Sequence, residues 1–385
     1  MEALPRWHIL VLTAIRVVYN TMHRMVYPFL SAFARGLGVD LAAIATAMSI
    51  RSAVGTIGPF AAALTDRRGR KVGILSGAAL FTLGAAVVVF VPTYPGLVLA
   101  LVLSTLGKYI FDPSLLAYLG DRIPYERRGR TIAITEFGWS LAFILGIPLV
   151  GFLIARSGWM APFPLFAALG ALIFTGLLFL IPADSRAGNG QSTLSGFRLV
   201  LTSIPALAGL ALGMFTSGAN ELVNLLFGVW LEDSFGLQIA ALGLASAVIG
   251  ASELGAEGLV AAFVDRLGKL RSVAIGLVLN SLAAIALPLI GRTQAGALAG
   301  LFLFYLSFEF TLVSSIPLMT EILPSARATL MAFNVAALSL GRALGAFLGS
   351  QLYPLGFASV AAAAVAFNLL ALLAVQRIHK AVQGG

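Results

Sequence analysis

Long apolar runs separated by short polar breaks fill most of this chain of 385 residues. A helix that crosses a bilayer needs about 20 mostly apolar residues, and about twelve runs have that length. The first six are His8–Ala34, Leu41–Leu64, Val72–Val91, Gly96–Leu119, Thr131–Ala155 and Ala161–Ile181. The second six are Leu207–Leu231, Ile239–Val264, Ser272–Ile290, Ala295–Met319, Ala328–Leu352 and Phe357–Val375. The sequence therefore predicts an all-α membrane protein with twelve transmembrane helices.

Composition favours lipid as the solvent around this protein. Only 11% of the residues are charged and 59% are hydrophobic, whereas soluble domains have about 25% charged residues. The net charge of +9 would suggest a nucleic-acid partner in a soluble protein. Here we attribute it to basic loops and expect no nucleic acid. The first apolar run is interpreted as a true span and not as a cleaved signal peptide.

The sequence indicates no cofactor and no metal site. Cysteine is absent, which excludes disulfides and thiolate ligands, and the three histidines His8, His23 and His379 are scattered along the chain. Nothing resembles a nucleotide-binding loop of the G-x-x-x-x-G-K-[ST] type.

Basic residues are distributed unequally between the two sets of loops. With the N-terminus placed inside, only Arg35, Arg156 and Arg292 lie in outside loops. Seventeen lie in inside segments: Arg6, Arg67, Arg68, Arg70, Lys71, Arg122, Arg127, Arg128, Arg130, Arg186, Arg198, Arg266, Lys269, Arg271, Arg327, Arg377 and Lys380. Cytoplasmic loops carry an excess of Lys and Arg. We therefore expect a multi-pass protein of the plasma (inner) membrane with both termini in the cytoplasm.

The two halves of the chain repeat each other at an offset of about 200 residues. The charged loop Thr65–Lys71 recurs as Val264–Arg271, again between two apolar runs. Matching positions are Asp66 and Asp265, Asn20 and Asn220, and Asp121 and Glu321. The Gly- and Ser-containing segment 183–198 has the composition of a linker. The predicted domains are an N-terminal six-helix bundle at 1–182, a cytoplasmic linker at 183–198 and a C-terminal six-helix bundle at 199–385.

The loop after the second span resembles a motif of the major facilitator superfamily: glycine, three residues, then Asp-Arg-x-Gly-Arg and Arg or Lys. The matching residues are Asp66, Arg67, Gly69, Arg70 and Lys71, with Ala62 in place of the leading glycine, and Asp265, Arg266, Gly268 and Lys269 in the second copy. Span 5 contains Gly138, Gly146, Pro148 and Gly151, similar to the glycine-proline motif of the family's twelve-span drug/proton antiporters. Ile147 separates a glycine and a proline that are usually adjacent, and the antiporter arginine of span 4 is absent.

The resemblance implies two pseudo-symmetric six-helix bundles around a central cavity that opens alternately to each side. The duplicated apolar pattern leads independently to this architecture, with binding near the midplane. The resemblance also implies a cytoplasmic gate, formed by Asp66, Arg67, Gly69, Arg70, Asp121, Asp265 and Arg266. Asp66 would meet the N-terminal end of span 11, where the helix dipole favours an anion, and Arg70 would pair with Asp121.

Ionisable residues inside predicted spans are the candidates for function, because each costs at least about 2.5 kcal/mol to insert. We predict that substrate contacts Arg16, Asn20, Arg51, Lys108, Asn220, Asn224 and Arg342. Three alternatives stay open at this point. Arg24 could reach the outer interface by snorkelling. Lys108 and Asp112, four residues apart, could form a purely structural pair, or Asp112 could pair with Arg51 instead.

The acids inside the spans are candidates for proton coupling: Asp112, Glu136, Glu221, Glu253, Glu257 and Glu309. Glu253 and Glu257 are four residues apart on one helical face, and two carboxylates so close do not both ionise readily. For Glu221, Glu253 and Glu309 the alternative is pairing with Arg342 or with an arginine of the first half.

These observations predict a secondary transporter, not an enzyme. We expect a monomer that exports a small amphipathic molecule by proton-coupled antiport through alternating access. The basic side chains of the first half suit a substrate with an anionic end. Proton-coupled uptake of an organic anion or sugar, lipid or lysolipid translocation, and a non-transporting sensor are the alternatives.

Overall fold

Helices account for all regular structure in the part of the chain that the computed structural model describes, which is residues 5–57, 69–123, 125–182 and 193–383. In the first half they are α1 (Arg6–Arg24), α2 (Leu30–Leu37), α3 (Leu41–Val54), α4 (Arg70–Phe90), α5 (Tyr94–Arg122), α6 (Tyr125–Leu141), α7 (Ile147–Ser157) and α8 (Pro162–Leu180). In the second half they are α9 (Thr193–Thr202), α10 (Ile204–Phe235), α11 (Ile239–Ala245), α12 (Ala247–Leu267), α13 (Lys269–Ile290), α14 (Gln294–Ile322), α15 (Arg327–Leu352) and α16 (Phe357–Gln383).

The helices confirm the predicted all-α membrane fold. Among the described residues, 10 helices are long and apolar enough to cross a membrane, or up to 11 if the pair α2 and α3, bent by 113°, counts as one span. This agrees approximately with the twelve predicted spans. The first predicted span is not continuous, because α1 ends at Arg24 and turns lead from there to Leu30. Pro28 lies in these turns and has no N–H to continue an α-helical ladder.

Contacts divide the chain into two compact units. The first comprises Met1–Asn189 with Gln238–Gly250, and the second comprises Gly190–Leu237 with Ala251–Gly385. In the first unit α4 packs along α5 and α8, α1 packs on α6, and α11 packs on α7. In the second unit α10 packs against α15 and α16, and α13 packs against α14 and α16. The predicted domain limits place 238–250 with the second half, and those limits remain a prediction.

The two units have the same types of residue at the starts of corresponding helices, as the internal repeat predicts. Gly69 and Gly268 stand immediately before α4 and α13, and their φ angles of 105° and 84° lie in the region that favours glycine. The next helices, α5 and α14, both have 29 residues. Each begins after a threonine whose hydroxyl accepts the backbone N–H three residues on, at 3.3 Å for Thr93 and 3.1 Å for Thr293.

The fifth predicted span packs closely on the first at two of its glycines. A π-helical turn, Ala142–Gly146, separates α6 from α7, and Pro148, which has no N–H to donate to the helix, follows after Ile147. A Cβ on Gly138 would lie 2.9 Å from Arg16 Cβ, and one on Gly146 would lie 1.9 Å from Thr21 Oγ1. Only glycine at these two positions lets α1 approach α6 and the π-helical turn so closely.

Candidate functional site

Four charged side chains and one amide form a continuous network in the core of the first unit. Arg16 and Asn20 are one turn apart on α1, Lys108 and Asp112 are one turn apart on α5, and Glu136 lies near the middle of α6. Side chains four residues apart share a helical face. Three helices therefore bring together residues that are spread over 120 positions of the sequence.

Arg16 is the residue that joins the two acids of this network. Its Nη1 and Nη2 donate to Glu136 Oε1 and Oε2 at 2.6 and 3.0 Å. Its Nε lies 3.6 Å from Asp112 Oδ1. A guanidinium that binds one carboxylate through two parallel hydrogen bonds fixes both the distance and the orientation of the pair.

Lys108 closes the network from the other side. Its Nζ donates to Asn20 Oδ1 at 2.6 Å and to Asp112 Oδ2 at 2.5 Å. The predicted pair between Lys108 and Asp112 is therefore present, and the alternative pair between Asp112 and Arg51 is not the arrangement found. With both acids ionised, the charges of Arg16, Lys108, Asp112 and Glu136 sum to zero.

The acids of the network are more accessible than its bases. Arg16 and Lys108 are 5% and 8% exposed. The side chains of Asp112 and Glu136 are 19% and 41% exposed. Glu136 is therefore the most accessible charged group of the network, whereas Asp112 Oδ1 is buried.

Arg24 points into the first unit and not toward the outer interface. It is 5% exposed, and its Cζ lies 4.0 Å from the ring centroid of Trp139 and 3.8 Å from that of Phe143. The snorkelling interpretation of Arg24 is therefore wrong, because these two rings supply favourable cation–π contacts inside the unit. Lys108 Nζ lies 5.3 Å from the same Trp139 centroid, so the indole lies against two cations.

Arg51 has a structural task at the break of the first span. Its Nη1 donates to the carbonyl of His23 at 2.5 Å, and its Nη2 donates to Tyr27 Oη at 2.5 Å. Tyr27 N bonds to Arg24 O in the turn, so the His23 carbonyl does not receive its usual i+4 donor. Arg51, 1% exposed, supplies the missing donor, and a role in substrate binding stays a prediction.

The polar candidates of the second unit lie on four helices. Asn220, Glu221 and Asn224 share α10, Glu253 and Glu257 lie on α12, Glu309 on α14 and Arg342 on α15. Asn224 links two helices, since its Oδ1 accepts from Tyr305 Oη of α14 at 2.8 Å. Its Nδ2 lies 3.5 Å from Glu221 Oε2, and Glu221 is 1% exposed. The roles assigned to these residues remain predictions.

A second polar network in this unit was missed by the sequence analysis. Asn280 of α13 donates to the Phe304 carbonyl at 2.8 Å and to Ser307 Oγ at 3.2 Å, and it accepts from Asn368 Nδ2 of α16 at 2.8 Å. Buried amides that bond across helices hold membrane bundles together. The signal was an asparagine inside each of two apolar spans, at Asn280 and Asn368.

The predicted gate is only partly within the described residues. Asp66 and Arg67 lie outside them, whereas Gly69, Arg70, Asp121, Asp265 and Arg266 lie within. Arg70 Nε lies 3.2 Å from Asp121 Oδ2, which confirms the predicted pair. The second unit has the equivalent pair between Lys269 and Glu321. Each pair joins the first residue of one helix to the last turn of the next, and the gating role remains a prediction.

Helices of membrane-spanning length with a charged network buried among them identify a multi-pass membrane protein. The chain belongs to the Major Facilitator Superfamily, whose family model matches residues 12–346. It is a secondary transporter that carries a small molecule. The uncharacterized MFS-type transporter YwfA of Bacillus subtilis (strain 168) is 26% identical over 355 residues, which cover 90% of this chain and 85% of YwfA.

Solved structures agree with the fold. A peptide transporter POT in complex with sulfate superposes with a TM-score of 0.79 at 15% identity, covering 96% of this chain and 94% of that one. A bacterial homolog of the human lysosomal transporter Spinster, inward-facing and unoccupied, gives a TM-score of 0.74 at 14% identity, covering 97% of each chain. Similarity at this level of identity concerns the fold alone.

Proposed function

We propose that this protein is a proton-coupled antiporter of the plasma membrane that exports a small amphipathic molecule by alternating access. The observation that carries the proposal is the network in which Asp112 and Glu136 neutralise Arg16 and Lys108 across α1, α5 and α6. The partial glycine-proline motif of span 5 supports the direction of transport. An inward proton gradient drives export when protons and substrate move in opposite senses.

Uptake of one proton would change the net charge of the network from zero to +1. One proton on Asp112 or Glu136 leaves two bases facing a single carboxylate. Neutralising Asp112, which lies mostly buried between Arg16 and Lys108, costs about 3–5 kcal/mol when the remaining charge stays buried. Neutralising the more exposed Glu136 costs less, because water screens that pair. Rearrangement or a ligand must then compensate that charge, which couples protonation to the packing of the three helices.

The exposure of the acids favours competition between proton and substrate. Glu136 is the most accessible member of the network, and the side chain of Asp112 is 19% exposed. A substrate with a basic group would bind at the same carboxylates that a proton neutralises. If the proton and the substrate cannot occupy the site together, the transporter carries one of them in each direction, which is antiport.

A second candidate is proton-coupled uptake of an organic anion. Four buried bases of the first unit favour it: Arg16, Arg24, Arg51 and Lys108 are each at most 8% exposed. An anionic group would replace a carboxylate as their partner after that carboxylate takes up a proton. Proton and substrate would then bind together and move in the same direction.

Proteoliposomes that contain a pH-sensitive dye distinguish the two candidates. Under antiport, an outward gradient of the amphipathic cation ethidium acidifies the lumen. Under symport, an outward gradient of an organic anion such as benzoate makes the lumen alkaline. We expect the first result, and its loss in Asp112→Asn. Asp233→Asn is the matched control, because Asp233 is exposed and bonds to Tyr353. Proton movement that is unchanged in Asp112→Asn would contradict the proposal.

A further inference from the structure

An apolar groove runs along the second unit. It has a volume of about 520 Å³ and lies among α12, α13 and α14. Its lining includes Leu259, Phe263 and Leu267 of α12, Ile275 and Leu279 of α13, and Phe310 of α14. The hydroxyl of Ser307, which also lines the groove, is bonded to the Leu303 carbonyl at 2.8 Å. The groove is therefore suited to a hydrocarbon ligand.

The groove has the length of an acyl chain segment. On α13 the lining residues recur every three or four positions from Ile275 to Ala286, which keeps them on one face. These 11 steps at about 1.5 Å each extend about 16 Å along the helix, close to half of the roughly 30 Å hydrocarbon core.

One end of the groove is bordered by basic residues. Arg271 lies one turn before Ile275 on α13, and Arg266 is the neighbour of Leu267 on α12. Both arginines are exposed. Lys269 is paired with Glu321, and Asp265 precedes Arg266, so the remaining charge at this end is +1. Basic clusters beside gaps between transmembrane helices attract anionic lipid head groups.

We propose that this groove binds an anionic phospholipid, with one acyl chain along α13 and its phosphate between Arg266 and Arg271. The apolar lining would contact the acyl chain, and the two arginines would bind the negatively charged phosphate. Leu267 and Ile275 connect the two parts, since each lines the groove and stands within one turn of an arginine. The site is separate from the transported substrate and does not depend on the direction of transport.

Lipid binding to the purified full chain tests the charged end of the site. Native mass spectrometry compares dioleoyl phosphatidylglycerol with dioleoyl phosphatidylcholine, which has the same acyl chains and no net charge. We expect tighter binding of phosphatidylglycerol by about five-fold, the effect of one favourable basic residue at the interface. Arg271→Gln should remove this preference. Arg292→Gln, an exposed arginine beyond the other end of α13, should retain it.

Filling the groove tests the apolar part. Leu279→Trp should weaken binding of both lipids several-fold, whereas Leu289→Trp, on the same helix but outside the lining, should not. Equal binding of the two lipids, or a preference that survives Arg271→Gln, would overturn the proposal. Binding of glycerol phosphate alone that is likewise lost in Arg271→Gln would identify a site for free anions, and this result would also overturn the proposal. A dimer of the unmodified protein that Leu279→Trp converts to a monomer would assign the groove to a second copy of the chain and overturn the proposal.

Discussion

Arg16 on α1 and Glu136 on α6 are 120 residues apart in the sequence and form an ion pair with two hydrogen bonds. At the same place Gly138 brings the two helices together, because a Cβ there would lie 2.9 Å from Arg16 Cβ. The ion pair and a close approach of the helices therefore lie at the same place. A change in the charge of either partner acts directly on the contact between α1 and α6.

Glu136→Gln should impair transport more than stability. We expect transport to fall by at least about five-fold, the lower end of usual coupling free energies between linked ligands. The free energy of unfolding should fall by about 1 kcal/mol or less, because the Glu136 side chain is 41% exposed and water screens the pair. Proteoliposome transport and thermal unfolding measure the two effects. Glu232→Gln, at the end of α10, is the control, and a large loss of stability without loss of transport would contradict the expectation.

Arg51→Gln should act on stability first. The His23 carbonyl and the Tyr27 hydroxyl would lose their donor, and a buried group left unsatisfied costs about 1–3 kcal/mol. We expect a loss of about 3 kcal/mol, measured by thermal unfolding in detergent. Tyr27→Phe removes one of the two contacts and should cost less. If Arg51→Gln unfolds like the unmodified protein but loses substrate affinity, Arg51 binds substrate instead.

Gly146→Ala should disturb the contact between α1 and the π-helical turn. The added methyl would lie 1.9 Å from Thr21 Oγ1, and overpacking of this kind costs about 1–3 kcal/mol. Gly176→Ala is the matched control, because no heavy atom lies within 4 Å of a Cβ at that position in α8. It should be neutral or slightly stabilising, since alanine favours helix over glycine. Equal melting temperatures for the two variants would show that the contact tolerates the methyl.

Asn280→Ala and Asn368→Ala should not be additive. Each single change breaks the bond of 2.8 Å between the two amides, and such bonds in membrane bundles contribute about 1 kcal/mol. The double variant should therefore lose less stability than the sum of the two single losses. A double-mutant cycle measured by thermal unfolding gives the coupling, and simple additivity would mean that the two amides act independently.

The sequence predicted the features that depend on neighbours along one helix or on the repeat. Apolar runs located the helices, because a bilayer requires a minimum apolar length. The pair of Lys108 with Asp112 follows from a spacing of four on one helix. The pair of Arg70 with Asp121 came from the family motif. Its counterpart, Lys269 with Glu321, was not predicted, although the offset between the halves aligns Asp121 with Glu321.

Contacts between distant spans were not predictable in the same way. The apolar pattern does not indicate which face of α1 packs against α6, so the sequence did not identify the ion-pair partner of Arg16. The inward position of Arg24 depends on the rings of Trp139 and Phe143, which belong to another helix. The task of Arg51 depends on a carbonyl freed by an irregular turn. Each of these contacts is set by helix rotation and packing, which sequence spacing alone does not encode.

The π-helical turn at Ala142–Gly146 also has a consequence for comparing relatives. Ile147 N bonds to Ala142 O, five residues back instead of four, so the turn contains one residue more than an α-helix would hold. Each residue rotates an α-helix by about 100°. A homologue with an unbroken α-helix here would need one residue fewer to keep Glu136 and Gly151 on their present faces. Alignments of this span should therefore open a single-residue gap within 142–146, and the gap would mark where the turn arose during evolution.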